Sequence, residues 1–311
     1  MSETVTVTLD KTAKKSRSFL LEVVIRLVRE KPLGTVGGII VLVFLLVGIF
    51  ADVLAPYGYN IISFGDRLIP PGPGHLLGTD NLGRDLFSRI IYGARISMYV
   101  GLGVATLSTT LCTIIGGVSG FLGGKTDLIV QRFIDAIMCF PSLVIMLTVV
   151  AIVGPGLLQV ILVLGIWGGI GGRTRVVRSA VMGIMQNVYI EAARAIGAPT
   201  SRMLLRHVLP NVTAPIIIVF TLEMGHAIIM EATMSFLGFG IPPPMPSWGG
   251  MLSGAATQYM FEAPWMAFWP GLVLAIVVYG INMLGDGLRD ILDPRLRGGL
   301  GRYGRRKKSQ K

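Results

Sequence analysis

Ile96-Ser97-Met98-Tyr99-Val100-Gly101-Leu102-Gly103-Val104-Ala105-Thr106-Leu107-Ser108-Thr109-Thr110-Leu111-Cys112-Thr113-Ile114-Ile115-Gly116-Gly117-Val118-Ser119-Gly120-Phe121-Leu122-Gly123-Gly124 carries no charged side chain. A helix rises 1.5 Å per residue, so about 20 such residues cross the hydrocarbon of a bilayer. Residues 34–51, 136–172 and 263–285 are uncharged runs of the same kind. The 311-residue chain is 52% hydrophobic and 14% charged, against about 25% charged in a typical soluble domain. Spans in lipid must satisfy their own backbone hydrogen bonds, which makes them helices. The fold class expected is therefore all-α integral membrane, with six transmembrane helices at 33–55, 96–122, 128–153, 157–170, 214–237 and 265–288.

The third and fourth spans form one apolar stretch. Gly154-Pro155-Gly156 divides it, because proline lacks the donor that helix propagation needs and glycine favours turns. Gly116, Gly120 and Gly124 recur every fourth residue. They are expected to line one helix face and let a neighbouring helix approach closely.

The formal net charge is +11, and the basic residues are clustered. One block precedes the first apolar run, one lies between Arg173 and Arg206, and one follows Arg289 and includes Arg305, Arg306, Lys307 and Lys308. On a membrane protein such blocks mark the cytoplasmic side rather than a nucleic-acid partner. Both termini are thus expected in the cytoplasm. Residues 56–95 are expected outside although they hold Arg67, Arg84, Arg89 and Arg95, partly balanced by Asp66, Asp80 and Asp85. The polar leader before Leu33 is too long for a cleavable signal, so the first run reads as a retained helix.

Catalytic chemistry finds little support. Cys112 and Cys139 lie in apolar runs, and no Cys/His cluster has metal-ligand spacing. Gly124-Lys125-Thr126 looks like the end of a phosphate-binding loop, but Ser119 stands where the pattern needs glycine, and the strand-to-helix context is missing. The chain is expected to have no catalytic residues, metal site or bound cofactor.

Glu191-Ala192-Ala193-Arg194-Ala195-Ile196-Gly197-Ala198-Pro199 is followed by Thr200-Ser201-Arg202-Met203-Leu204-Leu205-Arg206-His207-Val208-Leu209-Pro210. Alanine favours helix, Gly197 supplies a stop, and Pro199 suits the first turn of the next helix. Pro210 ends that helix or kinks it into the fifth span. The result is a helical protrusion bearing small residues, which suits either a partner's groove or an ordinary amphipathic surface.

Two further places stand out. Glu223 and His226, three apart, share a helix face. About twelve residues from Asn211 put Glu223 roughly 18 Å into the bilayer. Ionisable groups at that depth face a cavity or a bundle interior. A translocation path and interhelical hydrogen bonding are both open readings, with Asn282 as partner in either. Pro246-Ser247-Trp248-Gly249, after Pro242-Pro243-Pro244, makes a stiff loop. Trp248 and Trp265 there read as interfacial anchors, or Pro246 and Trp248 as a docking surface for an external protein.

Glu191-Ala192-Ala193, Gly197 and Leu209-Pro210 have the spacing of the EAA loop of importer-type ABC permeases. His207 stands where the general pattern has isoleucine. With Leu209, Pro210 and Asn211 it resembles the dipeptide/oligopeptide/nickel branch. Leu77-Gly78-Thr79-Asp80, Gly83-Arg84-Asp85, Tyr92-Gly93-Ala94-Arg95, Ser235-Phe236-Leu237-Gly238, Pro246-Ser247-Trp248-Gly249, Gly285-Asp286-Gly287-Leu288-Arg289-Asp290 and Asp293-Pro294 agree with that branch, in order. The resemblance covers residues 31–297, and the extra first helix and outer loop resemble the C-type permease of the pair.

The resemblance implies a cytoplasmic coupling helix within 187–210, with Glu191, Ala192, Ala193, Gly197, Ala198, Leu209 and Pro210 meeting an ATPase. It implies a cytoplasmic segment 1–32, a first helix and outer loop 33–95, a five-helix core 96–290 and a basic tail 291–311. The implied partners are a homologous second permease, two ABC ATPases that bind ATP and magnesium, an external solute-binding protein and the lipid bilayer of a prokaryotic inner membrane, with no nucleic acid. Cargo would be peptides, nickel chelates or similar solutes. An ion-gradient-driven secondary transporter is the alternative, and it would predict broken helices and internal repeats. An intramembrane enzyme would need a nucleophile–base pair that the sequence lacks.

Overall fold

The computed structural model describes residues 19–292, and all its regular elements of any length are helical. The first are α1 (Phe19–Glu30), α2 (Pro32–Ile49), α3 (Ala51–Leu54) and α4 (Leu86–Leu122). Next come α5 (Gly124–Met138), α6 (Ser142–Val153), α7 (Leu157–Ile170), α8 (Arg173–Met185) and α9 (Val188–Ala195). Then follow α10 (Thr200–Arg202), α11 (Thr213–Phe236), α12 (Trp248–Leu252), α13 (Ala255–Gln258) and α14 (Trp265–Leu292). The basic tail and most of the leader lie outside the described residues.

Four segments are long and apolar enough to cross a membrane: Pro32–Ile49, Leu86–Leu122, Thr200–Phe236 and Trp265–Leu292. Two helix pairs pass only together, α5 with α6 and α7 with α8, so the total is up to six if each bent pair is one span. The span expected at 128–153 is bent, and α5 and α6 pass as one span only together. The two helices meet at 82°, because Pro141 stands at the start of α6 and a residue before proline is driven out of helical conformation. α5 also carries Lys125, Asp127, Arg132 and Asp135. The break at Gly154 falls as read, with α6 ending at Val153 and Gly154 at φ +95°.

The outer loop is shorter than read, since α4 starts at Leu86 and not near residue 96. Asp85 caps it by accepting from the Ser88 amide at 2.8 Å. The arginines that made 86–95 look like loop are paired: Arg95 Nε donates to Gly48 O at 2.9 Å and NH2 to Asp52 at 2.9 Å. Arg89 NH1 donates to Tyr59 O at 2.9 Å.

Glycine sets the closest helix contacts, as small residues do where lipid gives no hydrophobic drive. A Cβ on Gly37 would meet Gly280 O at 2.5 Å, joining α2 to α14. One on Gly116 would meet Thr174 O at 2.4 Å, and one on Gly120 would meet Arg178 O at 2.8 Å, joining α4 to α8. Gly124 departs from the expected stripe: it turns the chain at φ +55° with nothing within 4 Å. The Gly-Lys-Thr sequence therefore sits at a helix-to-helix turn. Large apolar side chains such as Ile39, Leu42 and Val43 face outward from α2, as a lipid-facing helix requires.

Candidate functional site

The polar centre of the bundle lies where α11 meets α7 and α8. A cavity of about 270 Å³ there is lined by Glu223, His226, Arg173, Trp167 and Gly168 among others. Glu223 is almost fully buried and forms an ion pair with Arg173, Nε to Oε2, without a well-aligned hydrogen bond. Removing a buried carboxylate from water is costly unless a partner compensates, and Arg173 is that partner. In the sequence Arg173 stands out only as one member of a basic block. The signal that points to it is Glu223 itself, because an intramembrane acid calls for a cation at a nearby helix end.

Glycine makes room for this pair. A Cβ on Gly168 would stand 2.6 Å from Glu223 Oε1 and 2.8 Å from Ser108 Oγ. Ser108 Oγ has no hydrogen-bond partner among the described residues. His226 lines the same cavity yet is exposed at its rim. The i, i+3 reading thus brings Glu223 and His226 together. Asn282 is a correction: it is exposed on α14 and lies near Gly225, 3.3 Å from where that residue's Cβ would stand. Residues 223 and 225 point to nearly opposite sides of a 3.6-residue helix, so Asn282 is on the far side from the cavity.

The segment between α8 and α11 is a second candidate. Gly197 has φ +78°. Its amide donates to Arg194 O at 3.0 Å, and the Ala198 amide donates to Ala193 O at 3.0 Å. These two bonds are the Schellman ending of a helix, which needs a left-handed residue at that place. Pro199 stands just before the next helical residue, Thr200. A π-helical turn, Met203–Val208, and a 3₁₀ turn, Leu209–Val212, then carry the chain past Pro210 into α11. The extra-wide turn absorbs the amide that proline lacks. Pro210 therefore alters the helix without stopping it.

α9 is anchored on one side and bare on the other. Ile190 is fully buried with Val177, Val181, Val208 and Val212, and Ala193 turns inward with it. Of the EAA residues, Glu191 and Ala192 are exposed and Ala193 is not. Val188, Ile196 and Leu205 are among the most exposed large apolar side chains, Ile196 at 86%. Leu209 is half-buried and Pro210 exposed.

At the opposite end the expected docking residues are corrected. Trp248 and Pro246 are buried, so their side chains present no surface and Trp248 is no interfacial anchor. The Trp248 indole donates to Ile90 O at 3.1 Å and packs 5.9 Å from the Phe44 ring. Gly93 is what admits it, since a Cβ there would lie 2.7 Å from the indole. Leu77-Gly78-Thr79-Asp80 and Gly83-Arg84-Asp85 fold the outer loop in the same way. Asp80 Oδ1 accepts from the Leu82 and Arg84 amides at 2.9 and 3.0 Å. Trp265 donates to Thr79 O at 3.1 Å. These motifs shape backbone more than they offer chemistry. Among the described residues no group of three His, Cys, Asp or Glu could hold a metal.

Sequence comparison places this architecture. The inner membrane component of binding-protein-dependent transport systems matches residues 112–298. The N-terminal TM domain of oligopeptide transport permease C matches residues 18–71. Oligopeptide transport system permease protein OppC of Bacillus subtilis is 39% identical over 93% of either chain. Dipeptide transport system permease protein DppC of Alkalihalophilus pseudofirmus is 40% identical over 86% of this chain and 88% of its own. Glutathione transport system permease protein GsiD of Pectobacterium atrosepticum is 38% identical over 86% and 89%. These relatives are transport permeases, not enzymes, and nothing in them favours a secondary transporter. Helical spans, paired intramembrane charges and these matches agree: the chain belongs to the inner-membrane permease family of binding-protein-dependent ABC importers, and within it to the C-type branch of the oligopeptide and dipeptide systems.

Proposed function

We propose that this permease passes small peptides along a path that includes the Glu223–His226 cavity, and that the α9 segment couples it to ATP hydrolysis. The cargo class rests on the relatives' names, which are oligopeptide, dipeptide and glutathione systems. The observation that carries the coupling reading is the bare face of the α9 segment: Val188 on α9, Ile196 just past its end and Leu205 in the turn that follows are exposed, while a Gly197 turn fixes the end of α9. Exposed apolar groups at the polar end of a bundle suit a protein partner. That partner is an ABC ATPase, one of two, each binding ATP and magnesium. A homologous second permease completes the membrane unit, and an external binding protein delivers cargo.

In this reading α9 and both termini are cytoplasmic, and the Gly154 and Trp248 connections lie outside. Arg173 opens α8, the helix that leads to α9, while Glu223 lies on α11, the helix that leaves the segment. Movement of α9 by the ATPases would thus act on both members of the pair. Two arrangements of the bundle, biased by ATP, give alternating access. The test is ATP-driven peptide uptake by the complete transporter in proteoliposomes, wild type against Glu223→Gln. Uptake in wild type and its loss in the variant, with assembly intact, is the expected result. Equal uptake in both removes Glu223 from the path, and no uptake in wild type removes the peptide cargo. Labelling of Met245→Cys from outside and Ile196→Cys only from inside checks the orientation, and the reverse pattern overturns it.

A further inference from the structure

A second cavity, of about 350 Å³, opens at the end opposite α9 between the outer loop and the Trp248 connection. Its charged walls are Asp80, Arg84 and Arg89. Arg84 Nε donates to Asp80 Oδ2 at 2.7 Å, and Arg89 Nε stands 3.7 Å from that same oxygen. Both guanidinium groups are largely withdrawn from solvent, with side chains 13% and 8% exposed. Asp80 is already committed, since its other oxygen accepts two backbone amides. Two cations therefore share one carboxylate, and one positive charge in the cavity wall has no counter-charge.

Neither Asp85 nor Glu231 supplies it. Asp85 holds His75 and Ser88 and does not line the cavity. Glu231 is buried behind Ser235, whose hydroxyl donates to Glu231 Oε1 at 2.6 Å. A withdrawn, uncompensated charge is unfavourable, and the energy is recovered when an anion enters. Arg84 and Arg89 are held by Asp80 and by Tyr59 O. Each planar guanidinium keeps further N–H donors, of the kind that binds a carboxylate. The rest of the wall is uncharged: Asn81, Ser235, Ser247 and Ser253 stand among apolar residues such as Ile241 and Met251, which fits a short peptide with its polar backbone and aliphatic side chains.

We infer that this cavity is a subsite for the free carboxylate of an incoming peptide, met by Arg84 and Arg89 before the peptide enters the membrane. The inference rests on the peptide-import reading and its orientation, and it adds the chemical end of the cargo that the permease itself selects.

Saturation-transfer NMR on the complete transporter in nanodiscs, without the binding protein, tests it. The probes are N-acetyl-alanyl-alanine and its C-terminal amide. Wild type is expected to bind the acid at least ten-fold more tightly than the amide. Arg84→Gln is expected to bring the acid to the level of the amide. Asp80→Asn keeps a carbonyl for the Leu82 and Arg84 amides while removing the internal carboxylate, and it is expected to tighten the acid. Equal binding of acid and amide in wild type, or an acid preference that survives Arg84→Gln, overturns the subsite. Should Arg84→Gln fail to assemble, the absence of tightening in Asp80→Asn overturns it. A wild-type transporter that prefers the acid but accumulates no peptide with ATP would retain the subsite and lose the import reading.

Discussion

The two connections that bracket α11 look alike in sequence but place their motif residues differently. Both join membrane helices, both contain Gly and Pro at fixed places, and both carry large apolar residues. The connection before α11 leaves Val188, Ile196 and Leu205 exposed. The one after it buries Trp248 entirely and hydrogen-bonds its indole to α4. In the first connection Ile190, Met203 and Val208 turn inward, and Val188, Ile196 and Leu205 form the outward face for which the coupling role is proposed. The second turns Trp248 inward to hold its own bundle, while Phe261 near its end stays exposed. A motif in a loop is thus not evidence of contact with a partner until its side chains are known to point outward.

The largest expected effect comes from the closed side. Trp248→Ala removes a fully buried indole from its place against Phe44 and Gly93. A loss of about 3–5 kcal/mol is expected for such a truncation, read as a lower unfolding midpoint of the purified complex. An unchanged midpoint would mean that this connection is as open as the other, and the comparison would collapse.

Gly197→Val has a smaller effect of another kind. A Cβ at Gly197 meets nothing within 4 Å, so the damage is confined to a backbone at φ +78°. The strain is about 1–2 kcal/mol, enough to displace a Schellman turn and not enough to undo the membrane bundle. Retained insertion with impaired uptake is expected, and Gly197→Asn, which tolerates the left-handed region, should be milder. Equal loss in both variants would point to a need for space rather than backbone conformation.

The smallest effect on stability belongs to Ile196→Asp. Exposed positions change stability by about 0.5 kcal/mol or less, so the permease should melt as wild type does. Its recovery of ATPase subunits in affinity purification should nevertheless fall. Normal recovery would leave the bare face of α9 without an assigned use.

Much of this was legible in the sequence, for physical reasons. Uncharged runs, the Gly154 break and the Gly197 stop depend on local chemistry, and each falls where the residues put it. Glu223 and His226 share a cavity because i and i+3 share a helix face. What escaped depends on contacts between distant segments. Arg173 reads as a topology charge until α8 and α11 are seen together. Pro141 reads as part of an apolar run until the 82° bend appears. Trp248 reads as an anchor because nothing local announces that Gly93, over 150 residues earlier, leaves a slot for it.

If the face around α9 transmits ATP hydrolysis to a path through this chain, changing it must uncouple the two. Peptide uptake per ATP hydrolysed, measured side by side for wild type and Ile196→Asp in proteoliposomes holding the complete transporter, tests it most directly. A sharp fall in that ratio is expected for the variant, with stability and membrane insertion matching wild type. An unchanged ratio, with ATPase recovery also unchanged, would contradict it.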